Sequence, residues 1–285
     1  MTVALQTEAR GAESLDLFPG QSASARRRLA LRDLREAFVL WRLCVTLSWL
    51  DIKLRYRGSL LGPFWLTLST GVMVGAIGVI YSSLFHMDMQ DYLPFVAVSQ
   101  VLWGYLNTLV GEGCTCFTEA EGMIRSIRMP FALYGARSVL RNLLVLGHNM
   151  LVIVVVFAVF GTWPGWTALV AIPGLAIWLI DSWAIAVLLG MLCARFRDIP
   201  PIVGSIMQIA FFATPVIWKP ENMHSHQWLL LYNPFFAMLE VVRAPLLGQI
   251  PPLHIYAGAL IVSVLILAAT WILFLRVRGR IAFWV

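Results

Sequence analysis

The stretch Asp51-Ile-Lys-Leu-Arg-Tyr-Arg57 runs directly into Gly58-Ser-Leu-Leu-Gly-Pro-Phe-Trp-Leu-Thr-Leu-Ser-Thr-Gly-Val-Met-Val-Gly-Ala-Ile-Gly-Val-Ile-Tyr-Ser-Ser-Leu-Phe85. The first part is a dense basic collar. The second holds no charged side chain for 28 residues. At about 1.5 Å per residue, roughly 20 apolar residues cross a ~30 Å hydrocarbon core. A long apolar run behind a basic collar reads as a membrane span entered from the cytoplasm.

The pattern repeats along the chain. Residues 92–111 carry no charge, 142–160 only His148, and 167–193 only Asp181. Residues 199–218 and 255–275 carry none. With 58–85 these stretches predict six transmembrane helices and an all-α integral membrane protein. The composition agrees: 60% hydrophobic, 13% charged, mean hydropathy +0.79. A soluble domain carries about 25% charged residues.

Basic residues set the orientation. Ten precede the first span, Arg125, Arg128, Arg137 and Arg141 lie between the second and third, and Arg195 and Arg197 between the fourth and fifth. Arg276, Arg278 and Arg280 follow the sixth. That leaves only Lys219 and Arg243 on the other side. The bias places both termini in the cytoplasm, and six spans have the matching parity. The net charge of +6 is therefore a topology signal; its arginines are dispersed over loops, and no basic domain is left to hold nucleic acid. No apolar signal segment opens the chain, so the first span is expected to direct insertion.

Three domains are expected: a polar mobile tail over 1–28, an amphipathic cytoplasmic interface helix with the collar over 29–57, and the six-span body over 58–285. The interface helix rests on Leu34, Phe38, Trp41, Val45, Trp49 and Ile52, an apolar stripe at helical spacing that is too short to cross. Between spans five and six, 227–239 and 244–252 are apolar, separated by Glu240 and Arg243, with Asn233-Pro234 as a break. They read as two short re-entrant helices, tolerated at membrane depth only where protein or water covers them. In 119–130 an acidic start and a basic end match a helix dipole and suggest a docking helix for a cytoplasmic partner.

Several residues invite chemistry. Asp198 is placed to cap the fifth span, and Pro215 to kink it near its outer end. Asp181 is costly inside a membrane and calls for a partner: His148, Asn149 or a serine. Cys114-Thr-Cys116 is a lone pair and His224-Ser-His226 a solvated loop, so no metal is expected. With the cysteines on the cytoplasmic side, no disulfide is expected. No phosphate loop, His-Glu-x-x-His or nucleophile elbow occurs. The carboxylates Asp51, Glu112, Asp181 and Asp198 are scattered, which argues against a membrane enzyme. Tyr81, Trp103, Tyr105, Phe211, Phe212 and Trp218 are aromatic side chains within or at the ends of spans. Interfacial belts use such residues; so does a pore for sugars, whose C–H faces pack on rings.

The segment from Asp51 to Trp65 resembles the signature entering the first span of type-2 ABC exporter permeases for O-antigen, capsule and teichoic acid polysaccharides. Arg195-Phe-Arg-Asp-Ile199, Ala213-Thr-Pro-Val-Ile-Trp218 and Tyr232-Asn-Pro234 are similar to it in the same order. The resemblance covers about 34–285 and leaves the polar tail unexplained. It implies a homodimer of six-span subunits in the bacterial inner membrane, bound to two copies of a separate ATPase that holds ATP and Mg. It implies a lipid-linked polysaccharide cargo and no cofactor in this chain. By position, Glu119, Glu121, Met123, Ile124 and Arg125 would couple to the ATPase, and 227–246 would form outer gate helices. Arg55, Tyr56 and Arg57 would meet the pyrophosphate of the lipid carrier, since guanidinium binds phosphate in a fork. Tyr81, Trp103, Tyr105, Phe211, Phe212, Pro215 and Trp218 would line the channel or its gate. The route is expected along spans one and five, with Gly71, Gly75 and Gly78 on a small-residue face at the dimer axis. Two alternatives remain: an exporter of a small lipid or drug on the same architecture, and a lipid-linked sugar transferase.

Overall fold

A computed structural model describes residues 22–62 and 64–285, without the side chains of 85 and 224–227. The expected polar tail lies outside the described residues over 1–21. Its last residues are helical: α1 runs Ala23–Val39, with the Ser22 hydroxyl accepting from the Ala25 amide. An N-terminal serine of this kind satisfies one orphan donor, so the helix takes Arg26, Arg27 and Arg28 out of the tail.

The interface helix is two helices. α1 stops at Val39, and α2 covers Trp41–Arg55. α2 buries Cys44, Ser48 and Ile52, the small side, against the third long helix; the Ser48 hydroxyl lies 2.8 Å from the Cys44 carbonyl and 3.1 Å from that of Arg137. Of the expected stripe, Phe38, Trp41, Val45 and Trp49 face outward. Close packing wants small side chains, so the bulky stripe is turned away from the bundle.

Among the described residues, five helices are long and apolar enough to cross a membrane. They are α3 (Phe64–Phe85), α4 (Met89–Thr115), α6 (Phe131–Phe160), α7 (Ala171–Arg195) and α10 (Leu253–Val277). The expected fifth span is shorter. α8 runs Ile199–Ala213, 15 residues, or about 22 Å at the helical rise. Thr214 is extended, at ψ 140°, because a residue before proline is pushed out of the helical region. Pro215 therefore ends this helix where a kink within it was expected. Asp198 precedes α8 without a side-chain capping bond. The other short helices are α5 (Glu121–Ser126), α9 (Pro234–Leu246) and α11 (Ile281–Trp284), with 3₁₀ turns at Gly165–Val170, Pro220–Tyr232 and Arg278–Arg280.

α4 is the centre of the bundle and packs on α3, α6, α7 and α8. Gly78 permits one close approach: a Cβ there would collide with Leu93 Cδ1, so α3 lies directly on α4. The glycine face expected at a dimer axis is thus partly spent within the chain. Asp181, buried in α7, is met by the Ser263 hydroxyl of α10 at 2.6 Å, the serine partner of the three foreseen. The His148 ring instead meets the Leu144 carbonyl.

Charge locks the ends. Asp33, fully buried in α1, accepts from the Phe131 and Ala132 amides at 3.1 and 2.9 Å and so caps α6 from a distant part of the chain. Arg278 donates to the same carboxylate at 2.7 Å. The C-terminal turn, the third long helix and α1 meet at one residue.

Candidate functional site

α4 turns one polar strip out of the core: Asn107, Thr108 and Gly111 are exposed and Gln100 and Gly104 half-buried, while most of their neighbours are buried. The spacing of three and four puts them on one helical face. α8 runs beside that strip. Between the two lies a cavity of about 620 Å³ lined by Gln100, Asn107 and Gln208 and by Trp103, Phe211 and Phe212, among others. The side-chain amide oxygen of Gln100 is buried and has no hydrogen-bond partner among the described residues. Each amide offers both donors and acceptors and carries no charge. Amides beside ring faces suit a neutral, hydroxyl-rich ligand.

The ring of Trp103 sits 5.8 Å from Phe211 and 5.6 Å from Phe235, and Phe211 lies 5.2 Å from Phe212. Three of the expected channel aromatics, Trp103, Phe211 and Phe212, therefore meet on one groove. Trp218 lies at the C-terminal end of α8, its indole donating to the Phe212 carbonyl at 3.1 Å. Tyr105 does not join them. It stacks on Trp178 at 5.7 Å and pairs with Ser182 inside the bundle, because its side of α4 faces α7. Tyr81 packs with Ile77, Tyr92, Phe95 and Val96, away from the groove. Span one supplies no wall of this cavity; span two does.

The C-terminal end of α8 is tied down by α9. Asn233 caps α9 by accepting from the Phe235 amide at 3.0 Å, and its own amide donates to Thr214 Oγ1 at 3.0 Å. Arg243, expected as an outer-loop charge, is buried to 1% exposure. It pairs with Glu240 one helical turn earlier, donates to Ser99 Oγ at 3.0 Å and to the Pro215 carbonyl, and stands 4.6 Å from the Phe95 ring centroid. Glu240 and Arg243 do not interrupt a helix, as their spacing suggested. At i and i+3 they neutralise each other on one face, and α9 runs through them.

At the collar end, Asp51 and Glu112 come together. Arg137 donates to Asp51 through Nε at 2.7 Å, and Arg141 to Glu112 at 2.8 Å. Asn142 and Arg55 complete the Glu112 carboxylate at 2.6 and 2.9 Å. Burial opposes the Arg55 charge, yet the Glu112 carboxylate beside it raises its pKa above the ordinary value. These acids are not the scattered groups their positions suggested. Each is held by arginine, which leaves neither free for acid–base work. Of the expected pyrophosphate contacts, Arg55 is committed to Glu112, Tyr56 is half-buried, and Arg57 is exposed without an ion pair among the described residues.

The loop 119–130 holds only a six-residue helix, α5, since Ile127 is extended and Pro130 follows. Its acidic start and basic end are Glu121 and Arg125, paired at 2.7 Å. Glu119 accepts from the Thr115 hydroxyl at 2.8 Å. Met123 and Ile124 turn inward onto the cluster around Phe117, Phe274 and Ile281, so they are not outward knobs; Ile127, 57% exposed, is. Among the described residues no group of three or more His, Cys, Asp or Glu could hold a metal ion. The side chains of His224 and His226 lie outside the described ones.

What the sequence reading missed is the polar strip and Gln208. Its signal was present: Gln100, Asn107 and Thr108 at helical spacing inside an uncharged run.

A family model described as "ABC-2 type transporter" matches residues 42–247. The O-antigen export system permease protein RfbA of Myxococcus xanthus is 25% identical over 221 residues, covering 75% of this chain and 84% of that protein. A protein of the same name from Klebsiella pneumoniae is 22% identical over 202 residues, 70% of this chain and 78% of its own.

Proposed function

The chain belongs to the ABC-2 type transporter family, and from that premise we propose that it exports lipid-linked cell-surface polysaccharide, of O-antigen or capsule type, across the bacterial inner membrane. It is a transport subunit working with an ATPase partner. It hydrolyses nothing itself. The proposed assembly is a homodimer with two ATPase copies, both termini cytoplasmic, in which α8 acts as the fifth of six spans.

The observation that carries the reading is the groove between α4 and α8, with Gln100, Asn107 and Gln208 beside Trp103, Phe211 and Phe212. A sugar polymer presents hydroxyls to amides and C–H faces to rings, and a groove without charges lets it slide. The names of the two relatives support the cargo class. The segment Pro220–Tyr232 with α9 is the proposed outer gate, re-entrant in the outer leaflet. α5 with Glu119 is the proposed coupling element, Ile127 being the apolar side chain it offers. Arg57, more than Arg55, is free to meet a carrier pyrophosphate.

The test is export in cells carrying the chain with its ATPase. Replacing Gln100, Asn107 and Gln208 together by Leu should abolish surface polysaccharide while leaving membrane insertion and ATPase binding intact. Normal export in that variant removes the groove from the route. Transport of a small lipid but no polymer by reconstituted complex would select the small-cargo alternative.

A further inference from the structure

A second cavity lies on the other side of the bundle, and its walls are of opposite character. It is a groove of about 400 Å³ between the N-terminal helices and the long helices α6 and α7. Leu34, Ala37, Phe38 and Val45 form one wall; Ala136, Val139, Leu140 and Leu179 form the other. No charged side chain lines it. The Trp183 indole and the Cys44 thiol that line it are already engaged. The Trp183 indole donates to the Ala132 carbonyl at 3.0 Å, and the Cys44 thiol lies 3.8 Å from the Leu133 carbonyl. Walls of this kind give a polar ligand nothing to bind. They favour hydrocarbon.

The rim is different again. Trp41 lines the groove and is 55% exposed, and the Arg42 guanidinium stands 5.6 Å from its ring centroid. Arg35 follows the lining residue Leu34. Arg35 and Arg42 are exposed and form no ion pair among the described residues. A tryptophan beside an unpaired arginine at the mouth of an apolar slot is the arrangement found at a headgroup boundary. Arg32 differs, being paired with Glu36.

We propose that this groove is a binding site for an anionic glycerophospholipid, with one acyl chain between α1, α2, α6 and α7 and the phosphate on Arg42. The occupant is a membrane lipid and not the cargo: the groove is built from the N-terminal helices, α6 and α7, and shares no lining residue with the polar groove between α4 and α8. Such a lipid would mortar α1 and α2 onto the body while their bulky stripe faces outward.

The experiment is native mass spectrometry of the full chain in detergent, titrated with phosphatidylglycerol or phosphatidylcholine of identical acyl chains. Phosphatidylglycerol should be retained about five-fold better, the preference one basic residue near an anionic headgroup confers. Arg42→Gln should lose most of that preference, and Arg42→Glu should lose all of it. Both should leave the thermal unfolding of lipid-free chain unchanged, because Arg42 carries no structural bond to another side chain beyond the ring contact. Ala136→Trp, which fills the slot, should lower retention of both lipids. Equal retention of the two lipids by the unmodified chain overturns the proposal, as does a preference that survives Arg42→Glu. If a polyprenyl phosphate displaces phosphatidylglycerol at equal concentration, the groove belongs to the cargo anchor and the proposal fails.

Discussion

The two walls of the polar groove are built in opposite ways. α4 buries seventeen of its 27 residues and touches three long neighbours; α8 buries only Met207 and Ala210 of its fifteen. Local opening follows the density of buried contacts, so α8 is the wall that gives way first. Its freedom is limited at the C-terminal end, where Asn233 holds Thr214 and Arg243 holds the Pro215 carbonyl. A path that must widen for a polymer and close behind it is served by one fixed wall and one hinged wall, with the hinge set by α9.

The largest effect should come from cutting that hinge. Arg243→Ala leaves the half-buried Glu240 without its partner and removes the buried bonds to Ser99 and Pro215. Breaking a buried charge pair costs about 3–5 kcal/mol. Thermal unfolding in detergent should fall accordingly, and hydrogen exchange should accelerate over α8 and α9 before α4. If exchange rises evenly through the bundle, the two walls are not independent and the contrast fails.

A medium effect should follow from disturbing the fixed wall. Gly78→Leu forces a side chain into the place of Leu93. Overpacking costs about 1–3 kcal/mol. Unfolding temperature should drop while export per folded molecule is retained, since α3 does not line the groove. Loss of export at full stability would instead return α3 to the cargo route.

The contrast was only half legible in the sequence. The long uncharged runs gave the five long helices directly, because burying a charge in hydrocarbon is costly enough to write itself into composition. α8 was overestimated for the same reason: hydropathy continues through Thr214 to Trp218, and only the steric effect of Pro215 on Thr214 ends the helix. The Asp33 cap on α6 and the Arg243 contacts join residues far apart in the chain, and no local spacing announces them. The break at Leu40 carries neither glycine nor proline, so nothing local foretold it. The polar strip on α4 is uncharged, so neither charge nor hydropathy marks it within the run, and only the helical spacing of Gln100, Asn107 and Thr108 does.

A smaller effect belongs to Asn233→Ala, which loses the α9 cap and the tie to Thr214 together. A cap is worth about 1 kcal/mol. The expected readout is faster exchange at the Thr214 and Val216 amides with unfolding temperature nearly unchanged. It sharpens the comparison by loosening the hinge without unpairing a charge.

The smallest effect should be at Asp181 in α7, the helix packed behind the fixed wall. The Ser263 hydroxyl has one proton and two neighbours, Asp181 Oδ2 at 2.6 Å and the Ala259 carbonyl at 2.9 Å. The hydroxyl donates to the Asp181 carboxyl and shares its proton with the Ala259 carbonyl of its own helix, which ties α7 to α10. An ionised group within a span is costly. Asparagine has the same shape, stays uncharged and brings a donor of its own. Asp181→Asn should therefore change stability by less than about 1 kcal/mol, the net worth of one neutral hydrogen bond, and leave export intact. Asp181→Leu should cost more, because it removes the bridge between α7 and α10. If Asp181→Asn stops export while folding is preserved, the carboxyl titrates during transport. The helix behind the fixed wall would then contain a moving part.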